Sequence, residues 1–346
     1  EQLTEEEVKS LEKSFTIPQA RLLKSLIKKA YILDPAVGSG AFLVGMLHEM
    51  ISIIKLLDVR EFRKEHIQKV NYDYELKRQL IETSLYGVDI QEQAVRICEL
   101  RLWLSLIVDY EKVKSEDVPP LPNLSYRIRC GDSLIEKLFG HNVQLDQLVQ
   151  TDKGKQLIDE ITKDKEAFFL ARDIGEKNRI ELSTLAKQCE LMELLIKEKQ
   201  KSLSGVQLSF FEETAKERKE REVFEETRRE YERILVSAIN TRKQVEAMLK
   251  GKISIPAEDI HELKNKLGIS FIWKLDFAEV FKEKGGFDVV IANPPYISFG
   301  LRDVGKAKGE WSDFMRINYP NSAEYKLSIY AIFMDRGFQL LKDKGI

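Results

Sequence analysis

Apolar residues recur along this chain in two rhythms, and their alternation predicts the architecture. Leu22, Leu23, Leu26 and Ile27 fall at helical spacing after Pro18, so residues 1–30 read as a helical segment, opened by Glu5, Glu6 and Glu7. Tyr31-Ile32-Leu33 is a short β-like run ending in Asp34-Pro35 and a glycine-rich turn. Helical periodicity then resumes through Phe42, Leu43, Met46, Leu47, Met50, Ile51 and Ile54. The unit repeats. Ser84-Leu85-Tyr86-Gly87-Val88-Asp89 predicts a second strand, and Ala94 to Leu106 a helix with Ala94, Ile97, Leu100, Leu104 and Ile107 on one apolar face. Ser125 to Cys130 is a third strand candidate. Phe287-Asp288-Val289-Val290-Ile291-Ala292 is a fourth, with the β-branched continuity of a strand buried on both faces. Strands alternating with helices predict an α/β fold with a parallel, doubly wound sheet.

A different pattern lies between the third and fourth strands. No proline occurs from Asn123 to Ile255, and residues 151–250 carry 21 positive and 21 negative charges. Leu182, Leu185, Cys189, Met192 and Ile196 step by three and four. Phe224, Tyr231, Ala238 and Val245 step by sevens, with Ile234 and Met248 beside them and Thr227 and Thr241 where apolar residues would sit. Two long helices with narrow apolar seams, joined near Ser202-Leu203-Ser204-Gly205, make an α-helical, coiled-coil-like hairpin. It serves either as a solvated structural arm or as a contact surface for DNA or a partner chain; its neutrality argues against a phosphate-gripping arm.

Composition narrows the function classes. The chain has 346 residues, enough for about two domains. Its 55 Lys and Arg against 57 Asp and Glu give a net charge of −2, so overall charge supplies no argument for nucleic acid. Cys98, Cys130 and Cys189 are odd in number and widely spaced, which excludes a disulfide framework and points to a reducing cytoplasm without a thiolate metal site. No apolar run approaches the roughly 18 residues that cross a bilayer. The chain opens at Glu1 without Met and stops at Lys344-Gly345-Ile346 on entering a strand, so it reads as a fragment of a longer protein.

The candidate chemistry sits at the ends of the predicted strands. Leu33-Asp34-Pro35-Ala36-Val37-Gly38-Ser39-Gly40-Ala41-Phe42 is a strand, a glycine turn and a helix start, where doubly wound folds bind cofactors. It lacks the third glycine of the dinucleotide fingerprint and a phosphate-binding Lys, so neither nicotinamide nor ATP is indicated. Gly87-Val88-Asp89-Ile90 puts a carboxylate at the second tip, able to accept both hydroxyls of a ribose. Asp132 in Cys130-Gly131-Asp132-Ser133-Leu134 takes the equivalent place after the third strand, where it can accept from an exocyclic amine. After the fourth strand comes Asn293-Pro294-Pro295-Tyr296. The prolines remove two donors and leave carbonyls free beside an Asn oxygen and a Tyr ring, a receptor for an amino group on a flat heterocycle.

Together these motifs resemble those of the gamma-class adenine-N6 DNA methyltransferases: DPAVGSG at 34–40, YGVDI at 86–90, GDSL at 131–134 and NPPY at 293–296. LRLWLSL at 100–106, PLPNLSYRIRCGDSL at 120–134, GGFDVVIANPPYI at 285–297 and YAIFMDRGFQLLKDKG at 330–345 are similar to the methyltransferase portion of type IIG restriction–modification enzymes. The resemblance implies a Rossmann-like methyltransferase sheet lacking its C-terminal strands, with the helical hairpin inserted. It divides the chain into an N-terminal helical segment (1–30), a cofactor-binding half (31–140), the insertion (141–270) and a truncated catalytic half (271–346). It implies S-adenosyl-L-methionine as cofactor, held by Asp34, Ala36, Gly38, Gly40, Phe42, Asp89, Ile90, Asp132 and Ser133. Asn293, Pro294, Pro295 and Tyr296 would be catalytic, acting without a metal on an adenine flipped out of double-stranded DNA. Further expected partners are a recognition domain outside this fragment and a nuclease domain or subunit of the parent protein. The resemblance also places the enzyme in the cytoplasm, at the nucleoid.

Two departures from the family pattern matter. Ala36 replaces the aromatic residue that usually opens the glycine loop, and Phe15-Thr16-Ile17-Pro18 matches the family's N-terminal Tyr-Thr-Pro motif only loosely. Motifs like NPPY also occur in methyltransferases acting on RNA guanine or protein glutamine. A catalytically idle scaffold is the remaining alternative.

Overall fold

The two rhythms resolve into strand–helix units in the computed structural model, which describes residues 14–62, 64–110, 124, 126–138, 141–142, 151–171, 173–204, 215–251, 271–296, 298–299, 309–323 and 327–346. Glu5 to Glu7, Ser125, the proline-rich stretch 120–123, the hairpin connection at Gly205 and Ile297 lie outside the described residues. In chain order the main elements are α1 (Ile17–Lys29), β1 (Ile32–Asp34), α2 (Ala41–Phe62), α3 (Tyr72–Thr83), β2 (Leu85–Asp89), α4 (Glu92–Ile107), β3 (Ile128–Cys130), α5 (Asp152–Leu170), α6 (Ile174–Ser204), α7 (Ala215–Leu249), β4 (Val289–Val290) and α8 (Ile329–Leu340). They fall into two compact units, residues 1–134 with 280–346, and residues 135–279.

The first unit holds the predicted sheet. Its strands run in the order β3-β2-β1-β4, all parallel, with Leu33 opposite Tyr86 on one side and opposite Val290 on the other. Beyond α8 the backbone returns beside β4: Lys342 N–H donates to the Phe287 carbonyl at 2.9 Å and Val290 N–H to the Ile346 carbonyl at 2.8 Å. Asp288 fastens this edge by accepting from Tyr31 N–H at 2.7 Å, from Lys284 Nζ at 2.6 Å and from Lys342 Nζ. Burial works to raise the Asp288 pKa, but the two ammonium groups and the amide hold it below the ordinary carboxylate value.

Helix α1 begins as its sequence dictates. Thr16 accepts from Gln19 N–H while the Gln19 side chain accepts from Thr16 N–H, a capping box that encloses Pro18 in the first turn. Lys24 then reaches two carboxylates on α2, Asp58 at 2.7 Å and Glu61 at 2.5 Å. Helix α2 buries Leu43, Leu47, Met50, Ile51 and Ile54 of the predicted apolar set, whereas Met46 is half-buried and Phe42 is exposed. Helix α4 corrects the sequence reading. Ile97, Leu100 and Leu104 are about half exposed, at 49%, 49% and 50%, and the core face is Val95, Cys98, Leu102 and Leu106. Both sets obey the helical repeat on opposite faces, so periodicity could not choose between them; the close fit of Cys98 beneath the glycine turn decides it.

The second unit is mainly helical. Leu182, Leu185, Cys189, Met192 and Ile196 are buried, and they share one apolar cluster with Ile234, Ala238, Val245 and Met248. Thr241 is buried at the seam position where an apolar residue was lacking. Arg242 on α7 grips Glu193 on α6 with two nitrogens, at 2.6 and 3.1 Å. The spacing predicts two long helices here. A third, α5, adds Leu157, Ile158 and Ile161 to the same cluster, with Lys165 Nζ donating to the carbonyls of Leu275 and Asp276. Its apolar seam is too short to stand out against a charged background.

Candidate active site at the carboxyl ends of the strands

Doubly wound sheets bind ligands outside the carboxyl ends of their strands, at the point where strand order reverses. Here that point lies between β1, which has β2 and β3 on one side, and β4 on the other. The turn after β1 is built to be narrow. Gly38 and Gly40 have φ of 51° and 81°, in the left-handed region that favours glycine. A Cβ at Gly40 would also stand 2.6 Å from Cys98 Sγ, so the turn lies directly against α4. Burial pushes the Cys98 thiol up to about 12, which makes it a packing residue rather than a nucleophile.

Hydrogen bonds lock the three tips β1, β2 and β3 together. Val37 N–H donates to the Val88 carbonyl at 2.9 Å, and Gly38 N–H donates to Asp89 Oδ2 at 2.9 Å. Asp89 Oδ1 accepts from Gln91 N–H at 2.9 Å, and the Asp89 carbonyl accepts from Gly131 N–H at 2.8 Å. The buried Ser133 hydroxyl donates to the Pro35 carbonyl at 2.6 Å. Asp132 Oδ1 closes its own turn by accepting from Leu134 N–H at 2.9 Å. Asp89 therefore does structural work as well: each of its oxygens already holds one amide and has a second lone pair to offer.

Asp34 is buried, at 1% exposure, with Oδ1 accepting from Ala36 N–H at 3.0 Å. Burial raises its pKa, the amide lowers it and the nearby Asp89 charge raises it again, to about 7. Two carboxyl groups beside one glycine turn favour a positive charge at this place. Phe42 and Ile90 border the tips with exposed apolar surface, 49% and 68%.

Across the switch point, Ile291 N–H donates to the Leu33 carbonyl at 2.8 Å, one step beyond β4, and the chain then leaves the sheet. Pro294 is buried, whereas Asn293 and Pro295 are exposed. The Tyr296 ring is 80% exposed, and its hydroxyl donates to Asn293 Oδ1 at 3.3 Å. An amide oxygen and a ring thus stand together just beyond the strand that neighbours β1. Among the described residues, no cluster of His, Cys, Asp or Glu could hold a metal ion.

Three residues around this end were given no role by the sequence reading. Tyr330, in the first turn of α8, stacks on Tyr296 with centroids 5.5 Å apart and planes 11° apart. Arg336 Nε donates to the Ser133 carbonyl at 3.2 Å. The buried Tyr319 hydroxyl donates to the Leu134 carbonyl at 2.7 Å. The one signal that could have found Tyr330 is topological: the helix returning to a parallel sheet starts at the end where the preceding strand finished.

Comparisons with known proteins bear on this arrangement. The family described as Eco57I restriction-modification methylase matches residues 83–346, from the end of α3 through β2, the NPPY segment and α8. The family described as MmeI, DNA-methyltransferase domain, matches residues 9–137, which include the glycine turn and Asp89. A protein of Methanocaldococcus jannaschii, provisionally named a type II restriction enzyme and methyltransferase, is 31% identical over 281 residues. That stretch covers 78% of this chain and 22% of the relative, so the chain spans about a fifth of the relative's length.

Proposed function

The chain belongs to the Eco57I restriction-modification methylase family, and from that premise we propose that it methylates the N6 amino group of adenine in double-stranded DNA, using S-adenosyl-L-methionine. The observation that carries the reading is the grouping of Asn293, Pro294 and Tyr296 at the end of β4, one strand from the glycine turn. The parent protein would be a type IIG enzyme with a recognition domain and a nuclease, working at the nucleoid. No helix among the described residues is long and apolar enough to cross a membrane.

The residues fit the cofactor. The glycine turn has no side chain where the backbone must approach a ligand, Asp89 has a lone pair on each oxygen for a ribose, and Asp34 with Asp89 favours a cation. Asp132, Ser133, Ala36, Phe42 and Ile90 would contribute to the same site. Bound there, S-adenosyl-L-methionine supplies a methyl group on a cationic sulfur. An adenine amine is out of reach within the duplex stack, so the base has to be extruded into the site. Asn293 Oδ1 and the Pro294 carbonyl accept the two N–H groups of that amine, which draws its lone pair out of conjugation and towards the methyl group. Tyr296 holds the base by its ring face. Positioning and fixed acceptors carry the rate.

The deciding experiment supplies tritiated cofactor with unmethylated DNA, RNA and protein, and then digests each product. Label in N6-methyldeoxyadenosine is the expected result. Label confined to RNA or to glutamine would move the enzyme to a different substrate class, and no transfer at all would leave an idle scaffold.

Asp89→Ala is expected to weaken cofactor binding by about 1.5–3 kcal/mol, the scale of hydrogen bonds to a charged group. The substitution removes the ribose acceptor and also releases Gly38 N–H and Gln91 N–H. Unchanged affinity by calorimetry on the folded variant would refute the ribose assignment.

A further inference from the structure

The Tyr296 ring stands on a segment that has just left the sheet, 80% exposed. Two contacts fix its orientation: the 3.3 Å hydrogen bond to Asn293 Oδ1 and the near-parallel stack on Tyr330. Tyr330 is far better anchored. It is in the first turn of α8, a helix held by buried Ile332, Gly337 and Leu340 and by Arg336 on the Ser133 carbonyl. An aromatic ring has two faces. Tyr330 lies against one of them at a 5.5 Å centroid separation, the spacing of an offset stack.

We propose that Tyr330 is a positioning residue for base capture: it backs one face of Tyr296 and turns the other outward to receive the extruded base. The proposal rests on the methyltransferase reading above. A free surface ring loses rotamer entropy when a base lands on it. A ring already held by a neighbour has lost that freedom beforehand, so more of the stacking energy goes into retaining the base. The base then completes a stack of three rings anchored on α8. Tyr330 acts only through Tyr296, and that dependence is what an experiment can isolate.

The test uses the natural full-length protein with tritiated cofactor and unmethylated genomic DNA. Tyr330→Ala should slow methyl transfer by roughly three- to tenfold, the range set by one aromatic pair. Cofactor affinity by calorimetry should stay unchanged, and Tyr330→Phe should restore the rate. In a Tyr296→Ala background, Tyr330→Ala should cost nothing more. A 3-fluorotyrosine label at position 296 should show a ¹⁹F resonance that moves in the Tyr330→Leu variant, because the ring current is lost. A normal or faster rate for Tyr330→Ala, an equal loss in the Tyr296→Ala background, or an unmoved resonance would each overturn the proposal. Failure of the wild-type protein to methylate any DNA would sink the enzymatic reading and this role with it, and it shows before any substitution is made.

Discussion

Asn293→Ala is expected to slow methyl transfer about 10²–10³-fold, the usual effect of removing one preorganised electrostatic partner, while cofactor affinity stays within several-fold of wild type. The separation follows from the fold. Asn293 lies beyond β4, whereas the contacts proposed for the cofactor lie at the tips of β1, β2 and β3, which hold each other through Val37, Gly38, Gly131 and Ser133. Removing the Asn293 side chain therefore leaves the glycine turn in place and removes only the acceptor whose strength matters as the target amine changes geometry. The Tyr296 hydroxyl loses its partner at the same time. Tyr296→Phe is the control for that loss: it keeps the ring and its stack on Tyr330, and it should retain most of the activity. Single-turnover transfer rates alongside calorimetric affinities measure both effects. Near-normal turnover by Asn293→Ala would reduce NPPY to a turn. A dead Tyr296→Phe would assign the hydroxyl a chemical role.

What the sequence disclosed about this site follows physical lines. The tips of β1 and β4 were legible because each combines a β-branched or aromatic run with a residue that cannot continue it: Pro35 after β1, and Pro294 after β4. Parallel strands all finish at one end, so three acids and an NPPY segment at strand ends had to converge there, and they do. The buried side of α4 was not legible, because Ile97-Leu100-Leu104 and Val95-Cys98-Leu102 both satisfy the helical period. Bulk favoured the first set. What decides is the space under Gly40, a property of two segments nearly 60 residues apart. Tyr330, Tyr319 and Arg336 were hidden for the same reason: each acts on a backbone carbonyl or ring of a distant segment, and no local pattern announces such a partner. Asp89 was half legible. Its place at the tip could be read, but its service to two backbone amides required the folded turn.

Asp34→Asn is expected to stabilise the cofactor-free protein above pH 7, by up to about 4 kcal/mol, while weakening its hold on a cationic cofactor. Asp34 is buried, and burial with the Asp89 charge lifts its pKa from the ordinary 3.8 to about 7 despite the Ala36 amide. Between those two values the folded protein keeps a proton that the unfolded chain gives up. The stability contributed by this group therefore falls as pH rises through that window, and it is flat above it. Asn keeps the Oδ1 acceptor for Ala36 N–H and cannot ionise, so the variant escapes the loss, and the difference between the two proteins vanishes below about pH 4. An acid so costly at neutral pH makes sense where a positive charge arrives to meet it. Affinity for S-adenosyl-L-methionine should rise with pH through about 7 in the wild type and stay level in Asp34→Asn. The product, an uncharged thioether, should show little of that rise with either protein. Urea unfolding at pH 5, 7 and 8.5, with calorimetry of cofactor and product at the same values, measures both sides. A variant less stable than wild type at pH 8.5 would mean that the Asp34 carboxylate is compensated in the fold. Equal pH dependence for cofactor and product would mean that its charge is not matched to the sulfonium.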